Sequence, residues 1–167
     1  MQPSVEQGSQ EPLMNDDNPT RPSKSVSADF FVVTGKAFLV VIDCLSRRPV
    51  IAPCNGDNTT SNTIRNFCRY FHEVGVPPSL RTDGWPQSTS TEFRDFMKRW
   101  DVRRMVTSSH YPQLNSYTEA AVKSVKQLIL KTGLSGNIDF EDFGHGLLEL
   151  RNTPNFTGRS PAQILYG

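Results

Sequence analysis

Residues 37–42, with the sequence AFLVVI, form the feature that most constrains the fold. A short run of β-branched and aromatic residues predicts a strand. Because successive positions are all apolar, both faces of this strand must be covered, which places it inside a sheet with helices on both sides. Residues 26–33 are also largely apolar, and the intervening sequence TGK predicts a tight turn. The sequence therefore predicts a hairpin within a covered sheet.

The rest of the chain alternates between strand and helix patterns. Further strands are predicted at 48–53, 78–82 and 102–106. Helices are predicted to begin at Thr59 or Thr60, near Ser90 after a capping box formed by Thr89 and Glu92, near Ser116, near Asp139 and at Ser160. Without the short last helix, the order β-β-β-α-β-α-β-α-α predicts an α/β fold, with a five-stranded mixed sheet and helices on both faces.

The composition of the 167 residues limits the domain organisation and the function classes. Residues 1–24 are rich in Pro, Ser, Gln and Asn, so we expect a linker there and one folded domain over residues 25–167. The net charge of +1 means that nucleic-acid binding must come from local patches. The three cysteines form no C-x-x-C pair, and no apolar stretch reaches about 18 residues. We therefore expect an intracellular domain without a membrane span or a small-molecule cofactor.

The segment 107–131 combines a polar loop, Ser108 to Asn115, with an amphipathic helix. The helix has an apolar face, and Glu119, Lys123 and Lys126 share a second face. A carboxylate followed by two lysines suits a metal ion beside a phosphate backbone. It equally suits a solvated helix surface, or a capping box in which Glu119 is the partner of Ser116.

Two other acids occupy positions where α/β sheets collect ligands. Asp29 lies within the first predicted strand, and Asp83 follows the fourth. Three converging carboxylates stay ionised together only around a divalent metal, and Mg²⁺ and Mn²⁺ favour such oxygen ligands. Two such ions can promote an in-line phosphodiester displacement. Asp83 has an alternative role as a turn acid, and Asp43 rivals Asp29 because a hairpin turn at residues 34–36 would bring the two acids together.

Several motifs, in one order along the chain, give a resemblance to a known family. They are A-D-F at Asp29, GKAFLVVIDCLSRRPV, LRTDGWPQ, EFRDFMKRW, HYPQLN-x-x-x-E-A-A-V-K and LRNTPNFTGRSPAQILYG. Together with the 35 residues between Asp83 and Glu119, these motifs resemble the catalytic core of retroviral and Ty3/gypsy-type retrotransposon integrases. The resemblance extends from about Ser25 to Gly167.

The resemblance implies a ribonuclease H-like fold and a metal-dependent transfer of DNA strands. It implies that Asp29, Asp83 and Glu119 hold two Mg²⁺ or Mn²⁺ ions, with Asp29 preferred over Asp43. The implied DNA contacts are the lysines of the amphipathic helix and two residues of the preceding loop, namely Lys123, Lys126, Gln113 and Asn115. The implied partners are DNA and further copies of the chain, as a homodimer or higher oligomer. The implied location is nuclear when the protein is bound to target DNA.

Three residues depart from the family pattern around these motifs. Trp85 stands where glycine is usual, Ser88 replaces an expected buried phenylalanine, and Ser116 replaces a common glycine. A left-handed Trp85 would cost about 1–2 kcal/mol, and the loss of the phenylalanine about 3–5 kcal/mol. The chain also lacks a zinc module upstream and a β-barrel downstream, so we expect a fragment.

These departures motivate an alternative function, a decayed or domesticated core that binds DNA or protein without catalysis. A ribonuclease H-like nuclease acting on RNA–DNA hybrids is a third hypothesis, which the RNTP and SPAQILYG motifs disfavour.

Overall fold

The computed structural model describes residues 21–33, 35–54, 59–82, 84–106, 112–132, 140–154 and 158–166. The strands are β1 (Ser25–Val33), β2 (Lys36–Asp43), β3 (Pro49–Cys54), β4 (Ser79–Thr82) and β5 (Arg103–Val106). The helices are α1 (Thr60–Val74), α2 (Pro86–Thr89), α3 (Thr91–Arg99), α4 (Pro112–Thr132), α5 (Phe140–Asn152) and α6 (Pro161–Tyr166). Within these ranges, no helix has the length and apolarity needed to cross a membrane. The predicted linker falls outside the described residues as far as residue 20.

The five strands form one sheet in the order β3-β2-β1-β4-β5. Strand β2 pairs antiparallel with β1 and with β3, whereas β4 is parallel to β1 and to β5. The predicted mixed sheet is therefore confirmed. So is the interior position of β2, which has neighbours on both sides and is buried from Phe38 onward.

The register of the first hairpin decides which side chains share a face. Asp29 lies opposite Val40, and Asp43 lies opposite Val26. Since side chains alternate along a strand, the three-residue offset puts Asp29 and Asp43 on opposite faces of the sheet. The expectation that the hairpin brings these two acids together is wrong.

One face of the sheet, here called the aromatic face, is covered by α1 and α3. Strand residues Val26, Leu39 and Leu80 pack there with helix residues. The helices contribute an interlocked set of rings: Phe67, Phe71, Phe93, Phe96 and Trp100. Edge-to-face and stacked ring pairs add about 0.5–1.5 kcal/mol each to the burial of apolar area. This face carries the larger part of the described core.

The opposite face, here called the acid face because Asp29 lies on it, is covered by α4. Strand residues Phe31, Phe38, Val40 and Ile42 form a smaller buried cluster with three residues of the helix, Val122, Val125 and Ile129. The spacing of these helix residues matches the apolar period of the amphipathic segment. Helix α4 contacts β1, β2 and β3, so this cluster lies over the antiparallel half of the sheet.

The start of α1 follows the prediction, and the cap of α3 differs from it. Thr59 caps α1 through its side-chain oxygen, which accepts from the amide of Asn62, and Gly75 ends this helix at φ +108°. Helix α3 is capped by Ser90 instead of Thr89. The hydroxyl of Thr89 instead donates to the carbonyl of Pro86, within the short helix α2 that the sequence did not predict.

Candidate active site

Asp29 occupies the fifth position of β1 on the acid face, the side of the sheet that α4 covers. Its side chain is half-buried. Its neighbours on this face, Val40 across the hairpin and Phe31 two residues along, both belong to the α4 cluster. Asp29 therefore lies at the border of that cluster as a half-buried residue.

Asp83 itself lies outside the described residues, but the chain on both sides of it is described. Thr82, the residue before it, is fully buried and pairs with Ala28, the residue before Asp29. The parallel pairing of β1 and β4 thus extends to the residue that immediately precedes each of the two acids.

Glu119 lies on α4 and is exposed. The helix begins at Pro112, so Ser116 is its fifth residue and not its N-cap. The prediction that the helix begins near Ser116 is wrong, and with it the capping box that competed for Glu119. Glu119 precedes Val122 by one helical turn, so it lies near the side of α4 that packs against the sheet.

The four predicted DNA contacts all lie on α4. Gln113 and Asn115 belong to its first turn and not to a loop, and their side chains are outside the described residues. Lys123 is exposed. The ammonium of Lys126 lies 5.2 Å from the ring centroid of Phe31, a cation–π contact on the acid face. This contact places one predicted DNA-binding lysine two strand positions from Asp29.

Asp43, the rival acid, is committed to the backbone. It is 4% exposed, and its two carboxylate oxygens accept hydrogen bonds of 2.7 Å from the amides of Ser23 and Ser46. The cysteine that follows, Cys44, is buried as well, and burial raises the pKa of its thiol. Asp43 is therefore an acid at the end of β2 whose carboxylate is held by backbone contacts.

The turn after Asp83 accommodates the two unusual residues. Gly84 takes the left-handed conformation at φ +69°, whereas Trp85 is extended at φ −60° and ψ 152°. The predicted strain at Trp85 is therefore wrong. Its indole packs edge-on against Phe30, at 4.7 Å between centroids, and against Phe93 at 5.7 Å. This tryptophan therefore serves packing.

Ser88 lies at the centre of the same turn and is completely buried. Its hydroxyl donates to the carbonyl of Trp85 at 2.7 Å. A second partner, the Nη2 of Arg104, lies 3.5 Å from the same oxygen. The serine is thus part of a polar network. A large cavity therefore does not need to be assumed at this position, where the family pattern has a buried phenylalanine.

Arg104 is a residue of this region that the sequence analysis missed. Besides Ser88, it contacts the hydroxyl of Thr82 through Nε at 3.5 Å, so it links α2 to the end of β4 just before Asp83. Burial lowers the pKa of its guanidinium, and the nearby Arg94 lowers it further. The signal in the sequence was the pair Arg103-Arg104, whose members point to opposite faces of β5.

Among the described residues, no three acids, histidines or cysteines lie together as a metal-binding group. Of the predicted triad, the described members are Asp29 on β1 and Glu119 on α4. The structure brings their two elements into contact on the acid face.

The sheet order, with its antiparallel hairpin strands, parallel β4 and β5 and helices on both faces, defines a ribonuclease H-like α/β fold. The sequence model of the integrase core domain matches residues 19–112, which is more than half of the chain. The protein therefore belongs to the integrase core domain family.

Relatives and solved structures agree with this assignment. The Transposon Tf2-3 polyprotein of Schizosaccharomyces pombe is 27% identical over 115 residues, which span 65% of this chain and 9% of the polyprotein. The integrase catalytic core of HTLV-2, solved with magnesium in a dimeric form, has a TM-score of 0.70 at 19% identity, covering 89% of this chain and 100% of that one. A simian T-cell lymphotropic virus intasome with the PP2A regulatory subunit B56 gamma gives a TM-score of 0.75 at 17% identity, covering 90% of this chain and 56% of that one.

Proposed function

We propose that this chain catalyses DNA integration by metal-dependent polynucleotidyl transfer, with Asp29, Asp83 and Glu119 as the metal ligands. The observation that carries the proposal is the position of Asp29 on the face of the sheet that α4 covers. The strand acid and the helix that bears Glu119 thus meet on one side. Asp43, the competing acid, is on the other side and has both oxygens occupied.

The donor chemistry of the proposed site fits a hard divalent cation. Asp29 keeps part of its side chain open to solvent, Glu119 is exposed, and carboxylate oxygens are the ligands that Mg²⁺ prefers. When bound, a pair of such ions supplies activation of an attacking hydroxyl and stabilisation of the leaving oxygen. The HTLV-2 catalytic core was solved with magnesium, which supports the choice of metal.

The residues of α4 would hold the DNA strand beside this site. The ammonium of Lys126 lies over the ring of Phe31, which is two strand positions from Asp29, so its charge is on the same face as this acid. Lys123 is one turn earlier and exposed, and the first turn of α4 carries Gln113 and Asn115. Contacts of this kind go mainly to backbone phosphates, so binding should weaken steeply with salt. We extend the proposal to a homodimer or higher oligomer that is nuclear when bound to target DNA.

The test is a strand-transfer assay on a branched DNA substrate with Mg²⁺ or Mn²⁺. Asp83→Asn should abolish the product, since one metal ligand loses its charge. Asp95→Asn is the matched control, because Asp95 is an exposed acid on α3. Equal activity of the wild type and Asp83→Asn would refute the assignment of the acids.

Trp85 and Ser88 are two of the features that motivate the alternative of an inactive binding module. The structure accommodates both residues, one by packing and one by hydrogen bonding, so neither now favours a distorted site. A melting-temperature titration distinguishes the two functions, because a ligand that binds only the folded state raises the melting temperature. A competent site should respond to millimolar Mg²⁺ and lose the response in Asp29→Asn.

A further inference from the structure

A cavity of about 500 Å³ lies at the end of the sheet where β1, β4 and β5 begin. Four of the residues that line it are cationic, and one is acidic: Lys24, Arg81, Lys98, Arg103 and Asp101. This volume falls in the range of small-molecule sites, which is about 300–1,000 Å³. The cavity thus has the volume of a ligand site, and its lining residues have an excess of three positive charges.

The strand register explains why the charges converge. Ser25, Ser79 and Arg103 form one rung across the three parallel strands, and all three line the cavity. Arg81 lies on the next rung of the same face, one alternation closer to Asp29. The rung that bears Ser25 is roughly 13 Å along β1 from Asp29, at about 3.3 Å per residue. The basic cavity and the candidate active site therefore occupy different parts of the acid face.

The cavity wall is held by backbone hydrogen bonds. The amide of Arg103 donates to the carbonyl of Pro78 at 2.9 Å, and that of Val102 donates to the carbonyl of Met97 at 2.9 Å. Asp101 ends α3 in the left-handed conformation at φ +54°, and its amide donates to the carbonyl of Lys98 at 3.1 Å. The backbone that carries these side chains is thus arranged before any ligand arrives, which lowers the entropy cost of binding.

The cations differ in how freely they can meet a ligand. Arg81 is 6% exposed and, like Lys24, has interactions within the fold. Lys98 and Arg103 are exposed at the rim, and Arg103 makes one weak contact, from Nη2 to the Sδ of Met105 at 3.8 Å. A multivalent anion would receive charge-assisted hydrogen bonds from the two rim residues.

From the charge, the size and the ordered walls, we propose that this cavity binds a phosphate-bearing anion. Two sources supply such a group, a phosphodiester of a nucleic-acid strand and a free polyphosphate. The site stands apart from the proposed transfer chemistry, because it uses none of the three acids and needs no divalent metal.

The experiment compares two probes in EDTA at constant ionic strength, using the full chain. Sodium tripolyphosphate represents the free anion, and a fluorescein-labelled single-stranded oligonucleotide represents the strand. The pocket variant is Lys98→Gln with Arg103→Gln, and the control is Lys131→Gln with Arg65→Gln, an equal charge change at exposed residues of α4 and α1. Melting temperatures of the unliganded proteins show whether each variant is folded.

The pocket variant should weaken binding of at least one probe by roughly tenfold or more, while the control stays within about twofold of the wild type. Loss for the oligonucleotide identifies a strand phosphate, and loss for tripolyphosphate alone identifies a free anion. Arg103→Lys, which keeps the charge, should retain most of the affinity. The proposal is overturned if neither probe binds, or if the pocket variant and the control are indistinguishable for both probes.

Discussion

The two faces of the sheet differ in how helices cover them and in the environment of the acid that each face carries. On the aromatic face, α1 and α3 cover the strands with interlocked rings, and the acid on that side, Asp43, has both oxygens bonded to amides. On the acid face, α4 covers the antiparallel half of the sheet, the half-buried Asp29 lies at the border of this cluster, and Arg81 and Arg103 line the basic cavity. A closed face favours stability, whereas a partly open face leaves charges available to ligands.

The largest loss of stability is expected from a large-to-small substitution in the core on the aromatic face. Phe96→Ala should destabilise the fold by about 3–5 kcal/mol, because Phe96 is 1% exposed and stacks on Phe71. Val125→Ala on α4 removes two buried methyl groups and should cost about 1.5 kcal/mol. Urea denaturation of both variants measures the difference. If Val125→Ala lowers the free energy of unfolding more than Phe96→Ala does, the aromatic face does not contribute more to stability.

The second prediction concerns the stability of variants at Trp85 and Ser88, a large and a small residue that follow Asp83. Trp85→Gly should cost about 3–5 kcal/mol by removing the indole from Phe30 and Phe93. Ser88→Phe should cost about 1–3 kcal/mol by overpacking a fully buried position. If the two residues compensate each other, the double variant should be more stable than the sum of the single changes implies, by about 0.5–3 kcal/mol. Additive losses in denaturant would show that the positions are independent.

The two acids on opposite faces should respond differently to loss of charge. Asp43→Asn turns one acceptor into a donor that faces a backbone amide, so the fold should lose about 1–3 kcal/mol. Asp29→Asn, at a partly open position, should change stability far less. Thermal unfolding without divalent metal gives both values. An equal cost for the two variants would remove the distinction between a structural and a functional acid.

The smallest effect on stability is expected at Lys126. Lys126→Gln should cost about 0.5–1 kcal/mol through loss of the contact with Phe31. Its effect on DNA affinity should be larger, with a salt dependence of binding reduced by about one phosphate contact. Lys131→Gln, at the far end of α4, serves as the control for both measurements. Unchanged DNA binding in Lys126→Gln would confine this lysine to a packing role.

Much of the fold could be predicted from local patterns. Three patterns in the sequence indicate burial directly. They are the apolar run of β2, the alternation of strand and helix patterns after β3, and the helical period of apolar residues in α1 and α4. The mixed sheet could be predicted from these patterns. The hairpin register could not be judged by proximity alone, because a shift of one residue moves every side chain to the other face. For this reason, the predicted proximity of Asp43 and Asp29 was wrong.

The region around the candidate site was less predictable for specific reasons. The sequence predicts a loop at Pro112, but α4 begins there, since proline is favoured in the first turn of a helix. The family pattern raises a left-handed conformation at Trp85 as a possible cost, while Gly84 takes that conformation one residue earlier. Ser88 and Arg104 are distant in sequence, so no local pattern reports their contact.

The outer strands of this sheet also bear on self-association. Unpaired strand edges recruit other chains, and proteins protect them with prolines, charges or covering elements. Strand β3 has Pro49 and Pro53, and the guanidinium of Arg151 on α5 donates to the carbonyl of Pro49. Strand β5 presents Arg103 and Arg104. Arg103, which lines the basic cavity, therefore also lies on an outer strand, so we expect its replacement to raise the tendency to edge-to-edge association as well as to weaken the proposed anion binding.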